Sequence, residues 1–154
     1  MNKKFSSLII ACLSLCSYKA FADMDGNVEL CLNGNGKSCI LAGHDYERIN
    51  LDIKKAMIYY HHGCTIGYGL ACLEEGIIYC NGRDEIVKDE VKGFNLVSKG
   101  CALNDPKTCY ELALLHRDGK CSARKNRAQA RYYLKKACAY DYKPGCDESV
   151  PDKK

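Results

Sequence analysis

Residues 54–64, 91–101 and 128–138 read KKAMIYYHHGC, VKGFNLVSKGC and AQARYYLKKAC. Set in register, Ala56, Gly93 and Ala130 coincide, as do Gly63, Gly100 and Ala137 just before the cysteine. Each terminal cysteine opens a C-x7-C pair: Cys64/Cys72, Cys101/Cys109 and Cys138/Cys146, with Cys31/Cys39 as an earlier copy. The last three pairs follow at intervals of 37 residues and the first stands 33 before the second. After the pairs, CLEEGIIYCNG at 72–82 and CYELALLHRDG at 109–119 align Gly76 with Ala113. A fixed period of this length is the signature of a repeat architecture.

Geometry gives the C-x7-C spacing its meaning. Two cysteines at i and i+8 on one unbroken helix stand about 12 Å apart, whereas a disulfide needs Cα atoms about 4.4–6.8 Å apart. The chain must therefore turn back between them. The intervening segments LNGNGKS, TIGYGLA, ALNDPKT and AYDYKPG carry the Gly, Asn, Asp and Pro that turns require. Each pair, Cys31–Cys39, Cys64–Cys72, Cys101–Cys109 and Cys138–Cys146, is expected to tie the end of one helix to the start of the next. The flanking residues follow helical rather than alternating spacing. Helices are expected over 39–48, 50–63, 71–80, 89–101, 109–117 and 126–138, with partial elements at 25–31 and after 146. Gly82 and Gly119 mark the ends of the shorter ones. The fold class is all-α, an α-solenoid of stacked helix-turn-helix repeats clasped by disulfides, in which each repeat contacts mainly its neighbours.

The chain has 154 residues, 12 of them Cys, and a formal charge of +4. Its first 22 residues, MNKKFSSLIIACLSLCSYKAFA, combine Lys3 and Lys4, an apolar stretch and a small-x-small Ala20-Phe21-Ala22 end. That is the pattern of a cleaved secretory signal, and its apolar run falls short of a bilayer span. Cleavage there takes Lys3, Lys4, Lys19, Cys12 and Cys16, leaving a domain over 23–154 with 10 cysteines and a net charge of +1. An even cysteine count in an exported chain fits a disulfide framework, and the near-neutral charge removes the case for nucleic acid. A mature chain without a transmembrane segment, periplasmic or secreted and monomeric, is expected, with about three and a half repeats and no cofactor.

The order small residue, aromatic pair, KAC, turn, Cys, short helix and Gly-containing loop resembles the Sel-one-like repeat, a relative of the tetratricopeptide repeat. The C-x7-C in every unit is similar to the helicobacter cysteine-rich proteins, exported bacterial members of that class. The match covers residues 29–146. It departs in the 33-residue first spacing, which implies a shortened loop around Arg48 to Leu51, and in His116, which stands where Tyr79 stands one unit earlier. The resemblance implies a protein- or peptide-binding module. It also implies an alternative: β-lactamase-type hydrolysis, or weak binding of a β-lactam or peptidoglycan-like small molecule.

Residues outside the repeat pattern supply the remaining candidates. Cys80 and Cys121 fall outside the repeated C-x7-C series: Cys80 lies 8 residues after Cys72, which the series already pairs with Cys64, and Cys121 lies 12 after Cys109. An inter-repeat disulfide is the preferred reading, against two buried thiols or a reducible redox pair. Zinc is a poor fit to C-x7-C, and the adjacent His61 and His62 diverge by about 100° on a helix, so no metal site is expected. Ser122 and Lys125 satisfy S-x-x-K, but neither S-D-N nor K-T-G accompanies them. Charge is divided: residues 23–118 carry 15 acids and 10 bases, residues 119–154 carry 4 acids and 10 bases. Lys120, Arg124, Lys125, Arg127 and Arg131, followed by Lys135 and Lys136, run with no acid between them, a solvated face or a docking surface for an acidic partner. Of Tyr59, Tyr60, Tyr132 and Tyr133, one of each doublet must pack inside and the other is free to line a groove.

Overall fold

A helix begins where a side chain takes up its first free N–H groups, and the sequence places such a residue ahead of most helices. In the computed structural model, which describes residues 26–149, Asn35 accepts from the Ser38 amide (3.1 Å) and opens α2 (Gly36–Arg48), after a first helical stretch α1 over 26–32. Asp52 caps α3 (Ile53–Thr65) and Asp89 caps α5 (Glu90–Ala102) through the amides of Lys55 and Lys92. Asp105 accepts from Thr108 at 2.7 Å and, with Pro106 in the first turn, starts α6 (Pro106–Asp118). Asn126 accepts from Ala128 and Gln129 at the head of α7 (Arg127–Ala139). Only Tyr68, before α4 (Gly69–Asn81), gives no side-chain cap among these six. The short α8 (Lys143–Ser149) closes the described chain. The sole strand-like feature among the described residues is an isolated bridge between Arg83 and Ile86 in the α4–α5 loop.

The all-α expectation holds, with shifts at the boundaries: the helix expected over 50–63 runs Ile53–Thr65, behind the Asp52 cap. The helices that carry the second cysteine of each pair begin two or three residues earlier than expected, at Gly36, Gly69 and Pro106. At α2 and α6 the Asn35 and Asp105 caps, with Pro106, override the turn-rich composition of those segments; α4 starts early without a side-chain cap, and in each the second cysteine sits inside the first helical turns. The four C-x7-C pairs have Cα–Cα distances of 4.5, 4.6, 4.5 and 4.5 Å, joining α1 to α2, α3 to α4, α5 to α6 and α7 to α8. Each reversal turns on one residue three past the first cysteine: Gly34, Gly67, Asn104 and Asp141, at φ 91, 90, 63 and 61°. Gly, Asn and Asp are the residues that adopt this left-handed backbone most readily.

Helices adjacent in the chain pack on one another, and α2 also touches α4 as α4 touches α6. The small-residue register has its cause at these crossings. Ala56, Gly93, Ala130, Gly63, Gly100 and Ala137 are all buried. A Cβ on Gly93 would lie 2.7 Å from the Gly76 carbonyl oxygen and 2.8 Å from the Cys80 nitrogen, so α4 and α5 meet backbone to backbone. Around these crossings lie Leu73, Val97 and Leu112, each at most 1% exposed, while buried Tyr60 of α3 and Ile78 of α4 belong to a second cluster. Tyr60 is the inward member of its doublet; Tyr132 points outward, 60% exposed, and Tyr133 is half-buried. No helix among the described residues is long and apolar enough to cross a membrane. The expected signal, 1–22, lies outside the described residues.

Candidate binding groove

α4 and α6 occupy equivalent places in successive repeats, and a cavity of about 470 Å³ opens between them. Leu73 and Ile77 of α4, Leu115 of α6 and Val97 of α5 supply apolar lining. Ile77 is 38% exposed, a large apolar side chain presented to solvent in a depression. Polar groups at the rim are Asn81, Lys88, Glu90, Glu111 and Lys120. Helical spacing accounts for this mixture, since Leu73, Ile77 and Cys80–Asn81 recur at one side of α4, and Glu111 and Leu115 are one turn apart on α6.

One wall is covalent. Cys80, in the last turn of α4, is bonded to Cys121 in the α6–α7 loop, with Cα atoms 5.1 Å apart. Both are buried, 8% and 5% exposed. Cys121 and Ser122 hold left-handed backbone at φ 51 and 58°, uncommon for residues with a side chain. The Glu90 carboxylate, at the start of α5, accepts from the Ser122 amide at 3.2 Å and lies 2.6 Å from Lys88 Nζ, so a charge-assisted hydrogen bond also ties the α6–α7 loop to the start of α5. Lys88 and the Ser122 hydrogen bonds hold the Glu90 carboxyl below its ordinary range.

Glu111 differs from the other carboxylates of its register. Glu74, Glu111 and Glu148 stand 37 residues apart, each two past the second cysteine of a pair. Glu74 lies 4.0 Å from both His44 and Lys107, and Glu148 accepts from Arg117 (2.9 Å) and Tyr110 (2.5 Å). Glu111 has no hydrogen bond or ion pair among the described residues. Burial pushes its carboxyl up; Lys107 offsets this in part, and the Glu74 charge adds to it. An acid with no hydrogen-bond partner, facing an apolar depression, has the character of a recognition group.

The residues singled out from sequence fall in several places. Lys120 is at the groove, 3.8 Å from Asp118, whereas Arg131 and Lys135 flank Tyr132 in a shallow depression on the outer side of α7. Arg124, Lys125 and Arg127 are exposed in the loop and first turn between these two regions. Lys136 leaves the basic run, its Nζ donating to the Cys101 carbonyl at 2.9 Å. Ser122 contacts Glu90, while the Cβ of Lys125 lies over Gly119; no hydrogen bond joins the Ser122 and Lys125 side chains among the described residues. Tyr59 stacks on Tyr46 (5.2 Å) and His116 on Tyr133 (5.6 Å), the same ring pair in two repeats, so His116 does in its unit what a tyrosine does in the first. Neither outward tyrosine, Tyr59 or Tyr132, lines the groove.

His61 is exposed, with Nδ1 3.1 Å from Oε1 of Glu75. His62 has Nε2 buried beside the Cys31–Cys39 sulfurs, which the disulfide already engages. Sequence reading missed two acids. Glu75 is 2% exposed where its register partners are Ala42 and Leu112, and its Oε2 is buried without a partner. Glu111 had a signal: a carboxylate repeated at a 37-residue period is not random surface charge.

The comparisons with known proteins agree on this architecture. The Sel1 repeat pattern matches residues 31–67, 68–105 and 106–139. Among solved structures, a Sel1 repeat protein from Oxalobacter formigenes is similar at 19% identity and TM-score 0.65, over 84% of this chain and 96% of that one. Cysteine-rich protein B of Helicobacter pylori is similar at 28% identity and TM-score 0.69, over 84% of this chain and 93% of that one. A protective antigen of uropathogenic Escherichia coli displaying an SLR fold is similar at 17% identity and TM-score 0.69, over 82% of this chain and 27% of that one. No curated protein matches the sequence.

Proposed function

This chain belongs to the Sel1 repeat family, and from that premise we propose that it is an exported interaction module that binds a protein or peptide in the groove between α4 and α6. The observation that carries the reading is the groove itself: apolar side chains in a depression, on a stack whose neighbouring repeats are covalently joined at its wall. Tandem repeats of this kind offer extended surfaces between units, and a rigid scaffold lowers the entropy lost on binding. Five disulfides favour an oxidising compartment, so export through residues 1–22 to the periplasm or beyond fits the covalent frame.

A photo-crosslinking amino acid placed at Ile77, and separately at Tyr132, tests the location. Expressed in envelope preparations, the Ile77 position is expected to give a discrete adduct that the Tyr132 position does not. Adducts formed only from Tyr132 would move the interaction surface to α7 and sink the groove reading. Hydrolysis of a β-lactam by the purified protein, lost on Ser122→Ala, would instead establish the enzymatic alternative.

A further inference from the structure

We infer that the groove seats one Lys or Arg side chain of an extended peptide, its aliphatic stem against Ile77 and Leu115 and its cationic head at the Glu111 carboxylate. This rests on the peptide-binding reading and names the chemistry of the partner.

The argument is one of charge balance inside a defined cavity. Five charged groups bear on the groove: Lys88, Glu90, Glu111 and Lys120 line it, and Lys107 lies one turn before Glu111 on α6. Lys88 is taken by Glu90 at 2.6 Å, and Lys120 lies 3.8 Å from Asp118. Lys107 Nζ lies 4.0 Å from Glu74. Glu111 is left over, half-buried beside Leu115 and Leu73, with its register partners Glu74 and Glu148 both engaged elsewhere. A half-buried carboxylate with no hydrogen-bond partner, and only the Lys107 charge to offset its burial, is a cost to the fold, and an arriving cation would form a charge-assisted hydrogen bond with it in a partly desolvated site. An anionic ligand meets the reverse situation, since both rim lysines already have acids beside them.

Shape selects among cations. A bare metal ion needs several free ligating groups, and of the two carboxylates lining the groove Glu90 is already engaged by Lys88 and the Ser122 amide, which leaves Glu111 beside leucines, an isoleucine and a valine. Lys and Arg instead carry a stem of methylenes that covers apolar surface while the head reaches a polar group. Ile77, 38% exposed, and Leu115 give that stem a surface to lie on. The rest of the peptide then runs across the opening between α4 and α6, where Asn81 offers an amide to main chain.

The test pans random dodecapeptides displayed on phage against the purified, oxidised protein. Peptides are kept whose binding is lost in Ile77→Asp. They are expected to share a Lys or Arg, and replacing it by norleucine is expected to weaken binding about tenfold or more. Glu111→Gln should weaken the parent peptide by the same factor while leaving the norleucine peptide unchanged, and its thermal midpoint should be no lower than wild type. Peptides without a shared cation, or parent peptides that bind Glu111→Gln as tightly as wild type, overturn the cation seat and leave groove binding intact. Failure to recover any peptide dependent on Ile77 overturns both readings.

Discussion

The ends of α2 and α4 meet the same structural demand with different chemistry. Glu47 is the eighth residue after Cys39, and Cys80 the eighth after Cys72, so the two occupy one register. Each reaches the loop of the following repeat. Glu47 pairs with Arg83 in the α4–α5 loop, and Cys80 is bonded to Cys121 in the α6–α7 loop. The loops themselves correspond: Asp84 and Cys121, each two past the glycine that ends its helix, have φ 49 and 51°. What is repeated is the place and backbone of the junction, and the bond that closes it is free to vary. An ion pair yields to acid and salt; a disulfide does not. The groove lies at the covalent junction.

That contrast is broken most severely by removing the covalent closure. Cys80→Ala with Cys121→Ala opens a link between residues 41 apart in sequence, which the chain-entropy model values at about 4 kcal/mol. A clasp pair at separation 8 is worth about 2.5 kcal/mol on the same scale. Urea unfolding of the Cys80/Cys121 and Cys101/Cys109 double variants is expected to place the former lower. Equal midpoints would mean that the junction is held by Glu90 and packing, with the bond secondary.

Next in size is Gly93→Ala. The equivalent residue at the first junction is Ala56, buried at 0% exposure, so a Cβ is accommodated there. At the second, the new Cβ would lie 2.6 Å from the Cys80 sulfur and 2.7 Å from the Gly76 carbonyl oxygen. Backbone contacts of that kind relax poorly, and a loss of about 2 kcal/mol is expected. Ala56→Gly at the first junction removes a buried methyl and costs helix propensity, about 1 kcal/mol. A larger loss from Ala56→Gly than from Gly93→Ala would show that the two crossings are not as different as their contacts.

Much of this was legible in the sequence because cysteines and small residues report backbone geometry directly. C-x7-C repeated at a fixed period with turn residues inside it announces a reversal, and Gly100 or Ala137 just before a cysteine announces a close crossing. The α4–α6 groove was not legible as a place. Ile77, Glu111 and Lys120 are scattered along the chain, and only the stacking of equivalent helices brings them to one cavity. The basic run is legible only as a run: Lys120 comes to the groove, Arg131 and Lys135 to a depression on α7, and Lys136 to the Cys101 carbonyl, placements that consecutive charges do not announce. Glu47 escaped notice because its partner Arg83 lies 36 residues away and no pattern of type or spacing links them.

The ion-paired junction is tested by Tyr60→Phe. The Tyr60 hydroxyl donates to Glu47 at 2.7 Å from a side chain with no exposure. Burial would raise the Glu47 carboxyl, but Tyr60 and Arg83 outweigh it and hold the group below its ordinary range. A carboxyl depressed in the fold contributes stability that is present above its unfolded pKa and is lost as pH falls through the folded value. Tyr60→Phe is therefore expected to cost about 1.5 kcal/mol at neutral pH, with the difference from wild type shrinking in acid. A loss that stays constant with pH would assign the effect to packing and not to the Glu47 hydrogen bond.

The smallest effect is expected from Glu111→Gln, and its sign is the informative part. Glu111 lies at the covalent junction's groove and its carboxyl is raised by burial, opposite to Glu47. A raised carboxyl means that the fold favours the protonated form, so ionisation weakens the folded state as pH rises past the ordinary carboxylate range. Replacing it with the neutral amide removes that penalty. The variant should match wild type in strong acid and become slightly the more stable one towards neutral pH, read as a small rise in thermal midpoint. A residue that serves packing would show a loss at every pH. A residue whose charge costs the folded protein something, at the one junction that cannot loosen, is placed to regain that cost from a bound cation.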